Sequence, residues 1–251
     1  MEAAKVIGSI HGLLSHASDR FFNEPRGRWI FRGHSKASFT LIPSVGRWAK
    51  PASSRAKYEK SLFDIFCREA RGHFNLSSLP ADPWEWLSFA QHHGLPTRLL
   101  DWTLNPLVAL YFAVVENRES DGQLFALHAV LKASENTRSG SPFSIDKPAK
   151  FYPNVVTPRI HAQEGVFVVC AEVESPLDKS LPTAWQIEQF IIPSAKKEDL
   201  RYELFRLGIH ASSLFPDIGG LAARISWQHT VSPKSGPKDV EASPNEELGQ
   251  R

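Results

Sequence analysis

Two cysteines in 251 residues, Cys67 and Cys170, leave no disulfide framework and no thiolate zinc spacing. Both sit among apolar neighbours and read as inert core thiols. Charge of one sign is also lacking: 29 Lys and Arg against 27 Asp and Glu give a net charge of +2. The chain is therefore no polycation, and any nucleic-acid binding has to come from a local patch. No apolar run approaches 18 residues, and no basic segment leads into an apolar one at the N-terminus, so a cytoplasmic protein without membrane contact is expected. Walker loops, Rossmann glycine patterns, nucleophile elbows, HExxH and internal repeats are all missing.

What is present is a dense polar run between apolar flanks, from Gln91-His92-His93-Gly94 through Arg98, Asp101, Trp102 and Thr103 to Asn105-Pro106. So many polar groups among Leu and Trp are costly unless each finds a partner. Around it the sequence predicts a helix over 3–22 and a strand from Trp29 to Phe31 ending at Arg32-Gly33-His34. Further helices are expected over 55–74 and 84–93. Asn105-Pro106 caps a helix over 107–115 that is apolar nearly all round and so belongs at the centre. Strands are expected over 123–131, 165–174 and 185–192. Residues 133–158 read as a surface excursion, 196–207 as a helix closed by Gly208, and 214–225 as a last helix. The predicted class is α+β, a helical first half packed on a mixed or antiparallel sheet drawn largely from the second half. Three parts are expected: an N-terminal helix (1–27), a main domain (28–230) and a disordered tail (231–251).

Several residues could carry chemistry. Arg32, at a strand end before glycine, offers a planar fork to phosphate or carboxylate, or pairs with a structural carboxylate such as Asp101. His92 and His93 are adjacent and diverge by about a quarter turn on a helix, a poor spacing for metal. One of them contacts substrate, or they form a helix C-terminus with Gly94 beyond it. Thr103 and Asn105 suit caps. Arg98, Asp101 and Trp102 together suggest an ordered pocket wall. Gln163 and Glu164 open a strand, so one of the two faces any given pocket, or both lie on the surface.

Trp29-Ile30-Phe31-Arg32-Gly33-His34 with Leu41-Ile42-Pro43-Ser44, and the block Ala90 to Thr103 continuing to Ala113, resemble the signature of the FRG domain family. Arg159-Ile160 with Gln163, Gly165 and Phe167, and Ser213 to Asp217, look like its later blocks, so the resemblance runs over about 28–225. More distantly, Phe31-Arg32-Gly33, Asp101-Trp102-Thr103 and Gln163-Glu164 are similar in order and spacing to ADP-ribosyltransferases of the Arg–Ser–Glu type. Two departures stand out: Asp101 and Trp102 replace serine positions, and Glu164 directly follows Gln163 instead of lying two residues on.

That resemblance implies an ADP-ribosyltransferase-like fold with NAD as co-substrate and no metal. It puts Glu164 and Gln163 in catalysis, with Asp101 as the rival carboxylate. Arg32, Gly33, His34, His93, Arg98, Trp102 and Thr103 would contact NAD, Trp102 by stacking. The implied partner is a macromolecular acceptor, RNA, DNA or protein, with a cognate antitoxin or inhibitor if the protein is a toxin or antiviral effector. The alternatives are a non-catalytic nucleotide or nucleic-acid module using Arg32, His93 and Arg98, and a metal-independent nuclease.

Overall fold

The computed structural model describes residues 5–49, 51–74, 79–130, 132–154 and 157–230; the expected tail lies outside the described residues. In chain order the elements are β1 (Lys5–Val6), α1 (Ile10–Arg20), β2 (Trp29–His34), α2 (Ala52–Ala70), α3 (Pro83–His92), β3 (Leu99–Thr103) and α4 (Pro106–Val114). There follow β4 (Gly122–His128), α5 (Glu135–Ser139), β5 (Ala149–Phe151), α6 (Pro158–Ala162), β6 (Gly165–Val169), β7 (Gln186–Ile192), α7 (Lys197–Arg206), α8 (Ala211–Leu214) and α9 (Ile218–Thr230). A 3-10 turn, Ser44–Arg47, joins β2 to α2.

The class is α+β, with a seven-stranded mixed sheet in the order β1-β7-β4-β2-β3-β6-β5. Only β1 and β7 run parallel; the other neighbours are antiparallel. Strands β4 to β7 supply most of the sheet, in line with the expectation, whereas β2 and β3 from the first half lie at its centre. The strand β3 escapes a pattern reading because Leu99, Leu100, Trp102 and Thr103 are buried on both faces and only Asp101 is exposed, so no alternation marks it.

Local chemistry sets the helix ends. The Asp82 carboxylate accepts from the amides of Trp84 and Glu85, with Pro83 at the first helical position, and Gly94 leaves α3 in the left-handed region at φ 91°. Asn105 does the same for α4 through the Leu107 amide, and Pro106 again opens the helix. The expected first helix divides: Lys5–Val6 pair with β7, and the helix starts after Ser9, whose hydroxyl accepts from Gly12. The last helix also divides, at Phe215-Pro216-Asp217, into α8 and α9.

Residues 133–158 are more than surface. They supply α5 and the edge strand β5, and bury Lys150 and Phe151. Lys150 Nζ donates to the carbonyls of Gly27 and Ala129, which is how a polar stretch reaches the interior.

Each face of the sheet carries a core. Phe31, Leu124 and Phe190 pack with α1, α4 and α7, whereas Ile30, Trp102, Phe125 and Val168 form a second cluster behind. A third, under α2 and α3, holds Trp84, Leu99, Phe151 and Phe167. Helix α4 presses on β2 so closely that a Cβ on Gly33 would overlap the Ala109 carbonyl oxygen and lie 2.7 Å from the Ala113 amide nitrogen. Gly33→Ala is therefore expected to cost about 3 kcal/mol, because backbone on both sides has to separate. Urea unfolding measures the loss, and a variant as stable as the parent would refute the packing.

Candidate functional site: a fork between two central strands

The strands β2 and β4 pair over six residues, and β3 and β6 over five, but β2 and β3 share a single pair, Phe31 opposite Thr103. Beyond it the two strands diverge, and the sheet opens into a fork. A cavity of about 290 Å³ lies there, lined by Phe31, Arg32, Gly33, Gln91, His92, Asp101, Trp102, Thr103, Ala109, Phe112, Arg159, Ile160, Gln163 and Phe167.

Arg32 occupies the divergence. Its guanidinium donates to the Asp101 carbonyl, taking up an acceptor where the strands part. Its Nε donates to His34 Nε2 at 3.0 Å. Because Nε2 accepts, Nδ1 carries the ring proton of His34 and donates to the Phe39 carbonyl at 3.2 Å. Burial, reinforced by the Arg32 and Arg47 charges, pushes the His34 pKa down to about 3. Burial also lowers the Arg32 pKa, opposed by Asp101, but a guanidinium stays charged. Among the described residues, its remaining donors have no acceptor at hydrogen-bond distance; Asp101 Oδ2 is 3.8 Å away.

The Asp101 carboxylate is aimed by a chain of neighbours. Gln91 Nε2 donates to its Oδ1 at 2.8 Å, and the Gln91 side-chain oxygen accepts from the Thr97 hydroxyl. Two further groups come from elements distant in sequence. Arg159, on α6, lies over the Phe215 ring at 4.6 Å. His92, at the end of α3, has its pKa lowered by burial, then by His93 and Arg159, so the imidazole is neutral near pH 7. Among the described residues no group of three His, Cys, Asp or Glu side chains is placed to hold a metal ion.

Of the anticipated residues, Arg32, Gly33, Asp101, Trp102, Thr103 and Gln163 reach the cavity. Gly33 owes its missing side chain to α4. Thr103 is a structural clasp: its hydroxyl donates to the Gln163 carbonyl at 2.7 Å and accepts from the Asn105 amide at 3.0 Å. Gln163 donates to the Leu214 carbonyl.

Three expectations need correction. Glu164 is absent from the cavity wall: it stands in the left-handed region at φ 47°, where α6 turns into β6, and its carboxylate is held by Arg26 and Asn105. Arg98 is a core residue, almost fully buried against Glu59 with Nη2 2.9 Å from Oε2 and its own amide 2.7 Å from Oε1. Trp102 borders the cavity as expected, and its indole also packs with Ile30, Phe125 and Val168. His93 caps α3 and packs on Phe89 at 4.6 Å, leaving its neighbour His92 in the wall.

Sequence reasoning left open which of His92 and His93 contacts a ligand, though only His93 was carried forward as a contact, and it missed Arg159 as a wall residue. The helix phase of α3 separates the two histidines. Arg159 follows Thr157-Pro158, a cap-and-proline start that marks the beginning of a helix.

A second concavity, about 780 Å³, shares Arg32, Gly33 and Phe112 with the first. One wall is the segment His34, Ser35, Ser38, Phe39, Thr40, Ile42 and Arg47; the other comes from α4, α8 and α9, with Tyr111, Glu116, Phe215 and Asp217. A third recess, about 230 Å³, lies between Arg32, Arg47, Gln91 and Asp101. Arg32 thus borders all three.

These features define a class: an α+β protein whose forked central sheet presents arginines to a divided cleft. Residues 27–122 match the family model of the FRG domain. The match takes in β2 through α4, with Arg32, Gln91, His92, Asp101 and Phe112, and ends before α6 supplies Arg159. No curated protein and no solved structure matches the chain. Among the described residues, no helix is long and apolar enough to cross a membrane.

Two predictions separate structure from site. Glu59→Gln leaves the Arg98 guanidinium buried and is expected to cost about 3–5 kcal/mol in urea unfolding; an unchanged midpoint would contradict a structural Arg98. The fold disfavours protonated His34, while the unfolded chain binds the proton below about pH 6.5. Stability should therefore fall as pH drops from 6.5 toward 3, by about 2 kcal/mol at pH 5. His34→Gln should remove that share of the pH slope, and identical slopes in the two proteins would refute it.

Proposed function

We propose that the fork is a nucleotide site and that this FRG-domain protein is an ADP-ribosyltransferase-like enzyme using NAD to modify a macromolecule. The observation that carries the reading is Arg32. It is a guanidinium fixed by His34 and Asp101, with donors left over, at the junction of all three concavities. Charged donors in a partly apolar cleft of this size suit a phosphorylated ligand with flat rings. Arg32 and Arg159 would hold phosphate or ribose oxygens, and Phe112 and Phe167 would supply apolar surface. Fit is favourable in charge.

NAD, when bound, supplies a ribose–nicotinamide bond whose cleavage places positive charge on the ribose. Asp101 is the carboxylate in the wall, and its orientation by Gln91 suits it to stabilise that charge. Glu164, turned toward Arg26, is not used. Neutral His92 can accept a proton from the incoming group. In a cell the enzyme would act on cytoplasmic targets, as a toxin or anti-phage effector restrained by a cognate inhibitor.

A second reading, a non-catalytic nucleotide-binding module, is favoured by one observation: Gln163, not an acid, occupies the wall position beside Glu164. Calorimetry with NAD and a nicotinamide-release assay distinguish the two. Arg32→Ala should weaken NAD binding about 10–100-fold, from the loss of charged hydrogen bonds. Asp101→Asn should keep binding and lose about 100-fold or more in turnover, while Glu164→Gln changes neither. Binding without turnover by the parent supports the module; no binding of NAD by the parent rejects both forms of the proposal.

A further inference from the structure

The larger concavity has features the smaller does not explain. Phe39 stands at its edge with 47% of its surface exposed, yet its backbone is fixed. The Phe39 amide donates to the Lys36 carbonyl at 3.1 Å, and its carbonyl accepts from His34, the same imidazole that orients Arg32. The ring is thus a half-exposed aromatic surface on a rigid turn. Lys36 Nζ lies 5.8 Å from the ring centroid.

Arg47 faces the same space from the 3-10 turn. That turn is pinned where a Cβ on Gly46 would overlap the Val173 carbonyl oxygen. Ser35, whose hydroxyl accepts from Asn117, and Ser38 and Thr40 complete the wall. On the other wall, the Asp217 carboxylate is already engaged by the Gly220 amide at the start of α9.

We infer that this trough is the acceptor seat for single-stranded nucleic acid, with a base stacked on Phe39 and adjacent phosphates held by Arg47 and Lys36. A flat aromatic platform flanked by cations and hydroxyls takes any base, and its cations follow the backbone. An overall charge of +2 is compatible with this because Arg32 and Arg47 stand apart from Glu116 and Asp217 on the opposite wall. The trough opens onto Arg32, so a bound strand lies beside the donor cavity. The inference rests on the reading of that cavity as the NAD seat only for what happens to the strand, not for its binding.

The test is fluorescence anisotropy with 5′-labelled 12-mers of oligo-U and oligo-dT, at several salt concentrations. Phe39→Ala should weaken binding about tenfold or more, and Phe39→Trp should restore it. Arg47→Ala should weaken binding less and reduce the salt slope by about one. A preference for oligo-U over oligo-dT assigns RNA as the acceptor, and the reverse assigns DNA; either supports the seat. Absence of binding to both oligomers, or parent-like binding by Phe39→Ala and Arg47→Ala, overturns it, including the outcome in which the acceptor is a protein. Calorimetry with NAD on the same samples keeps the two claims apart. Oligomer binding that depends on Phe39 in a protein that ignores NAD sinks the donor reading and leaves this one standing.

Discussion

The divergence of β2 from β3 after one shared pair is the constraint on which the rest depends. A continuous sheet here would bury Arg32 between paired strands, where a charge has no outlet. Instead the strands part at Phe31 and Thr103, and the guanidinium takes the Asp101 carbonyl that ladder pairing would otherwise claim. The fork is stable because each side is secured independently. On one side Gly33 lets α4 lie against β2; on the other the Thr103 hydroxyl ties the end of β3 to the turn before β6. Buried backbone groups need partners, and here side chains provide some of them.

Two arginines in the FRG match illustrate how environment divides similar chemistry. Arg98 meets a carboxylate in the core, uses its fork there and on nearby carbonyls, and is spent on structure. Arg32 meets an imidazole kept neutral by burial, which accepts one hydrogen bond without cancelling the charge. The field of Arg32 therefore remains available to a ligand. His34 has a double office, since the same ring fixes Arg32 and the turn that presents Phe39, and this couples the two concavities through one side chain.

Much of the fold was legible where local chemistry is strong. Asp82-Pro83 and Asn105-Pro106 mark helix starts by capping, Gly94 and Gly208 mark ends by their positive φ, and the all-apolar α4 announces its central place. Legibility failed where both faces are buried, as in β3, or where polar residues reach the core by giving their charges to backbone carbonyls, as Lys150 does. In the site, Arg32, Asp101 and Gln163 were readable as polar residues set among apolar ones. Glu164 was not, because a left-handed residue after α6, and not strand alternation, decides which of the pair faces inward. Nor was the choice of His92 over His93, which depends on how α3 rolls against the sheet.

The sequence alone determined the α+β class, the capped starts of α3 and α4 and the residues that resemble the FRG signature, since these follow from caps, apolar periodicity and short motifs. The tertiary structure decided which of those residues meet: it paired Arg98 with Glu59, turned Trp102 into the core, and brought Arg159 from α6 to the fork. The physical reason is that local preferences act over a few residues, whereas the partner of a charge or the facing of a ring is set by elements many residues apart that only packing brings together.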